Sequence, residues 1–68
     1  MNFTIEVEQE IDGRWLAEVM ELPGCLVYGQ TRQQAIAKVE ALALRVVADR
    51  LDEDETIATT LTVSFVAA

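Results

Sequence analysis

Carboxylates and one thiol are the side chains with which this chain could do chemistry. Glu6, Glu8 and Glu18 recur at alternate positions in two segments, and Cys25 is the single cysteine. There is no histidine and no glycine-rich phosphate loop, so the commonest general base and the usual phosphate cradle are both missing. A thiol becomes a nucleophile when positive charge or a helix N-terminus lowers its pKa. Cys25 instead sits among acidic and apolar residues, which marks it as a small core residue. Carboxylates hold a catalytic metal when several elements bring them to one point. Glutamates alternating along a strand form a solvated face. The expectation is a protein with no catalytic residue, no metal ligand and no cofactor, and not an enzyme.

Twelve acidic residues against five basic ones give a net charge of −7. That field repels phosphate backbones, which are bound by lysines and arginines that displace counterions. Arg14, Arg32, Lys38, Arg45 and Arg50 are scattered and form no cluster. Direct nucleic-acid binding is therefore not expected. The same field attracts a basic protein and speeds the encounter, although acidity also simply keeps a small protein soluble. One cysteine excludes an internal disulfide framework and fits a reducing compartment. The opening residues carry no basic n-region, and no run approaches the roughly 20 apolar residues of a membrane helix. A cytoplasmic protein with no membrane partner is expected. Its 68 residues form a single domain (1–68), near the lower limit for a core without metals or disulfides.

The elements that must carry these side chains follow from periodicity. Phe3, Ile5 and Val7 alternate with Thr4, Glu6 and Glu8; Trp15, Ala17 and Val19 alternate with Leu16, Glu18 and Met20. A two-residue turn at Asp12-Gly13 would set Val7 opposite Glu18 and mix the faces. A three-residue loop, Ile11-Asp12-Gly13, with Gly13 left-handed, pairs Val7 with Ala17 and Ile5 with Val19, and is the register expected. Leu22-Pro23-Gly24 ends the second strand, and Cys25 to Tyr28 form a short third. Thr31 and Gln34 make a capping box for a helix running to about Arg50 or Leu51. Its core face is Ala35, Ile36, Val39, Leu42, Ala43, Val46 and Val47, and Asp52-Glu53-Asp54-Glu55 opposes its macrodipole and stops it. Ile57, Thr59, Leu61, Val63 and Phe65 then alternate as a fourth strand. Trp15 is expected as a core anchor of the second strand. The fold class is α+β: a βββαβ chain whose mixed four-stranded sheet has the order 3-2-1-4, with one helix packed on one face.

Residues 12 to 31, Asp-Gly-Arg-Trp-Leu-Ala-Glu-Val-Met-Glu-Leu-Pro-Gly-Cys-Leu-Val-Tyr-Gly-Gln-Thr, carry a further signal in their order and spacing. They resemble the HicB family, antitoxins of HicA/HicB toxin–antitoxin pairs, whose pattern is roughly D-G-x-[YW]-x-A-x-V-P-x-L-P-G-C-x-x-x-G-x-T-x-x-E-A. The resemblance runs from about Ile5 to Leu51. It departs at Met20, where proline is usual, and at Gln33-Gln34, where acids are usual. It implies a truncated ribonuclease-H-like fold and a partner, a small basic HicA-type messenger-RNA interferase that the antitoxin neutralises by covering its active and RNA-binding surface. Many family members add a C-terminal DNA-binding segment; here the expectation is a free-standing domain without one. The relation to ribonuclease H also invites a nuclease reading with Glu6, Glu8 and Glu18 on magnesium, against which stands the solvated strand face. The alternative to an antitoxin is a stand-alone homodimerising structural or regulatory module with no toxin partner.

Two surfaces are candidates for toxin contact. Glu6 should face Glu18 across the open sheet with Glu8 one step along, a like-charge pair that a basic partner would relieve. On the helix, Ala37, Ala41, Leu44 and Ala48 form a second apolar stripe, with Leu44 at its centre. The fourth strand has neither charge nor proline and should be a sheet edge. Natural edges are usually blunted, so Thr60, Leu61, Thr62, Val63 and Phe65 are candidates for self-association with a second copy.

Overall fold

The alternating residues near the start of the chain build the centre of the sheet. β1 (Asn2–Gln9) pairs antiparallel with β2 (Trp15–Val19), and β2 with β3 (Leu26–Gly29). The helix α1 (Arg32–Glu53) then carries the chain back to β4 (Ser64–Ala67), which lies parallel to β1. The strand order is β3-β2-β1-β4, as a right-handed crossover predicts, and the fold is α+β with one helix on a mixed four-stranded sheet. The computed structural model describes residues 1–53 and 61–68, so Ile57, Thr59 and Thr60 of the expected fourth strand lie outside the described residues.

The first hairpin has the three-residue loop. Gly13 takes φ +94° and donates to the Glu10 carbonyl at 2.9 Å, while Glu10 N–H donates to the Arg14 carbonyl at 2.7 Å. Asp12 accepts from Arg14 N–H at 3.0 Å and from its Nε at 2.8 Å, which locks the turn. Val7 consequently faces Ala17 and Ile5 faces Val19. A slip by one residue would have put Glu18 in the core.

The end of β2 holds a device that periodicity does not announce. Met20 N–H continues the ladder to the Thr4 carbonyl at 3.0 Å, a bond that a proline at this position could not make. The chain then turns away, and the Glu21 carboxylate takes the place of a strand, accepting from Thr4 N–H at 2.7 Å. This hydrogen bond is the chief cause that holds the Glu21 carboxyl below its ordinary pKa. A pKa lowered by folding contributes stability above the unfolded value, lost as pH falls through the folded one. Glu21→Gln keeps an acceptor but removes the charge. The native chain should therefore exceed this variant in denaturant resistance at neutral pH. The gap should close on acidification through the glutamate range; a gap independent of pH would remove the charge from this role.

Leu22-Pro23-Gly24 reverses the chain, with Gly24 at φ +83° and Cys25 N–H donating to the Leu22 carbonyl at 3.0 Å. Because Cys25 spends its N–H in this turn, β3 begins one residue later than expected and runs to Gly29. Thr31 caps the helix, its Oγ1 accepting from Gln34 N–H at 3.0 Å. Gln34 reaches back one residue further than a standard capping box, to Gln30 N–H. The helix also continues past Leu51 to Glu53, a correction to the expected stop. Acids opposing an exposed helix end cost only about 0.3–1 kcal/mol, too little to end a packed helix that also has Arg50 in its last turn.

Ala35, Val39, Ala43 and Val47 are buried against Phe3, Ile5, Ala17 and Val19, with Ile36, Leu42 and Val46 flanking them half-buried. Cys25 is buried in this core, where desolvation raises its thiol pKa and keeps it protonated. Trp15 is only half-buried, packed against the margin of the core. It faces Gly29 at the end of β3 and Gln9 at the end of β1, and neither neighbour can enclose an indole.

Candidate functional site

The helix covers one face of the sheet and leaves the other open. In the observed register Glu6 lies directly opposite Glu18, and Glu8 opposite Leu16. Leu16 is in turn opposite Tyr28, and Glu18 opposite Leu26. Directly opposed residues share a face, so two rows run across the open sheet: Tyr28–Leu16–Glu8 and Leu26–Glu18–Glu6. Glu6, Val7, Glu8, Leu16, Glu18 and Ala68 line a shallow depression there. The three glutamates singled out from the sequence are brought together.

What the sequence reading missed is the apolar half of that face. Leu26 and Tyr28 are 43% and 40% exposed, and Met20, next in the alternation of β2, is 46% exposed. The signal was present: Leu16 and Met20 interrupt what should be a polar row. Arg14 bends over Tyr28, with its guanidinium carbon 4.2 Å from the ring centroid, and is also bound to Asp12. The Tyr28 hydroxyl donates weakly to Glu10 at 3.4 Å. Thus Arg14, beside the Tyr28 end of these rows, already has a partner. The face is acidic toward β1 and apolar toward β3.

Leu44 lies elsewhere. It is 48% exposed on the outer side of α1 with Ala37 and Ala48, while Ala41 is half-buried. The sheet separates it from Glu6, Glu8 and Glu18, so one compact partner domain cannot cover both candidate surfaces at once. Of the self-association candidates, Leu61 is exposed and Val63 and Phe65 are half-buried beside the core; Thr60 lies outside the described residues. The strand in the described residues begins only at Ser64, so Leu61, Thr62 and Val63 precede it, a correction to the longer strand expected.

Among the described residues no polar side chain is buried, and no three carboxylate or cysteine groups converge as metal ligands would. The open face offers charge from Glu6, Glu8 and Glu18 and apolar contact from Leu16, Leu26 and Tyr28. No helix among the described residues is long and apolar enough to cross a membrane. No family model, curated protein or solved structure matches the chain.

Proposed function

We propose that this chain is a HicB-like antitoxin that binds and neutralises a small basic ribonuclease of the HicA type in the cytoplasm. The observation that supports this reading is the open sheet face, where Glu6, Glu8 and Glu18 lie together beside Leu16, Leu26 and Tyr28. A ribonuclease must present positive charge to hold RNA, and an acidic surface competes for that charge. The flanking apolar side chains add desolvated contact, which charge alone does not provide. The face repels nucleic acid for the same reason, so the proposed partner is a protein.

The test is co-expression with the product of a neighbouring gene for a short, basic, histidine-containing protein. A stoichiometric complex that copurifies at moderate salt and silences RNA cleavage supports the reading. Free toxin activity in the presence of excess folded domain would sink it. A second reading, a homodimerising module without a toxin, is favoured by one separate observation: among the described residues no strand lies beside the outer edge of β4.

A further inference from the structure

The β1–β4 ladder fixes which backbone groups of the edge are free. Ser64 N–H donates to the Met1 carbonyl and Ala68 N–H to the Ile5 carbonyl, each at 2.9 Å, while the Thr62 carbonyl accepts from the Met1 ammonium at 2.6 Å. In a parallel ladder the N–H and C=O of one residue point the same way and alternate residue by residue. Even-numbered residues from Thr62 to Ala68 therefore bond inward to β1. Val63, Phe65 and Ala67 turn both backbone groups to the outer edge, beside which no strand lies among the described residues. Thr62, a candidate for pairing from sequence, is spent on the inner side.

We infer that this edge pairs with a second copy of the chain, antiparallel about a two-fold axis through Phe65. Backbone hydrogen bonds to the first residues of the chain reach beyond β4 on both sides, to Thr62 and to Ala68, and Phe65 lies midway between these, so this register gives the greatest symmetric overlap of outward-facing groups. Phe65 exchanges both bonds with its equivalent, and Val63 does so with Ala67 of the second copy. Six new backbone hydrogen bonds result. Side chains argue for the same axis. Phe65 is half-buried with its ring centroid 5.6 Å from that of Phe3. Among the described residues the helix packs mainly on β2 and β3 and less on β1, so it gives the Phe65 side of β4 little cover. Pairing at Phe65 extends the Phe3–Phe65 contact into a row of four rings across the axis.

Charge selects the occupant. The chain carries −7 overall, yet from Thr56 to Ala68 there is no charged side chain. Two copies repel one another at the glutamate-rich surfaces and meet without opposition at this edge. The interface is small, so the dimer is reversible, with affinity on the order of micromolar. It exists whether or not a toxin does, so its failure and that of the antitoxin reading are separable.

Sedimentation of the full chain from micromolar to millimolar concentration should show a monomer–dimer equilibrium. Ala67→Pro removes a donor that faces outward and leaves the inner ladder intact; it should weaken the dimer at least tenfold with unchanged circular dichroism. Cross-linking tests the register without relying on that variant folding. In a Cys25→Ala background, Ser64→Cys chains mixed with Val66→Cys chains should form a disulfide heterodimer, because these positions face each other as a non-hydrogen-bonded pair. Either variant alone should not cross-link. A monomer throughout the concentration range, or a dimer indifferent to Ala67→Pro that gives no mixed disulfide, would overturn the proposal.

Discussion

Gly29→Ala is expected to destabilise the domain by about 3 kcal/mol, at or beyond the upper end of the roughly 1–3 kcal/mol typical of overpacking. A Cβ at Gly29 would lie 2.5 Å from the Ala35 nitrogen, 2.8 Å from its Cα and 3.1 Å from its Cβ. The obstacle is the backbone of the first helical turn and cannot swing aside as a side chain would. The helix would have to lift from β3, loosening the contacts of Ala35 and Val39 together. At roughly 0.05–0.15 kcal/mol per residue, a chain of this length has little stability to lose, so a large fraction of the variant should be unfolded. Gly13→Ala is the control. Gly13 has φ +94° and nothing within 4 Å of an added Cβ, so its cost is limited to about 1–2 kcal/mol of left-handed strain. Denaturant titration of both variants should rank Gly29→Ala as clearly the more damaged. Equal losses would mean that helix and strand do not approach this closely.

If the chain has the basic toxin partner proposed above, Glu6→Gln combined with Glu18→Gln should slow their association about three- to tenfold at low salt, and flatten the dependence of the rate on salt. These two carboxylates face each other across β1 and β2, at the centre of the open face. The free domain should become slightly more stable, because like charges directly opposed across strands cost about 0.2–1 kcal/mol. Opposite signs for stability and association separate this result from simple damage to the fold. Leu44→Ser on the far side of the molecule supplies the contrast and should leave association unchanged. Unchanged kinetics in the glutamate double variant, with binding lost in Leu44→Ser, would move the docking surface to the helix.

The sequence disclosed relations between neighbours in the chain better than relations across the fold. The hairpin register was legible because only a three-residue loop keeps Val7 and Ala17 on one face and Glu6 and Glu18 on the other. The strand order followed from the handedness of the crossover. The cap at Thr31 was legible from spacing, though Gln34 chose Gln30 over Thr31. By contrast, nothing local marks Glu21 as the substitute partner of Thr4, or Gly29 as the place where Ala35 comes closest. The first depends on how β1 meets the turn after β2, and the second on the angle at which the helix leaves β3, which residue types and spacing do not fix. The candidate site was half legible: charge alternation found its glutamates, while Leu16, Leu26 and Tyr28 passed as ordinary strand residues. The helix stop was misread because a weak electrostatic preference was weighed against packing and lost.

The beginning and end of this chain are zipped together, Met1 to Thr62, Asn2 to Ser64 and Ile5 to Ala68. That arrangement sets an order in time. The β1–β2 hairpin and the helix close short loops, whereas the β1–β4 ladder closes one of almost the whole chain, and closure entropy grows with loop length. β4 should therefore join last in folding and open first under stress. Opening uncovers the β1 edge, from Met1 to Ile5, which the closed domain keeps out of reach of other chains. Amide exchange should consequently be fastest in this ladder and slowest in the β1–β2 ladder around Glu6 and Glu18. The seam that completes the sheet is also where a nascent or strained chain is most exposed to wrong partners.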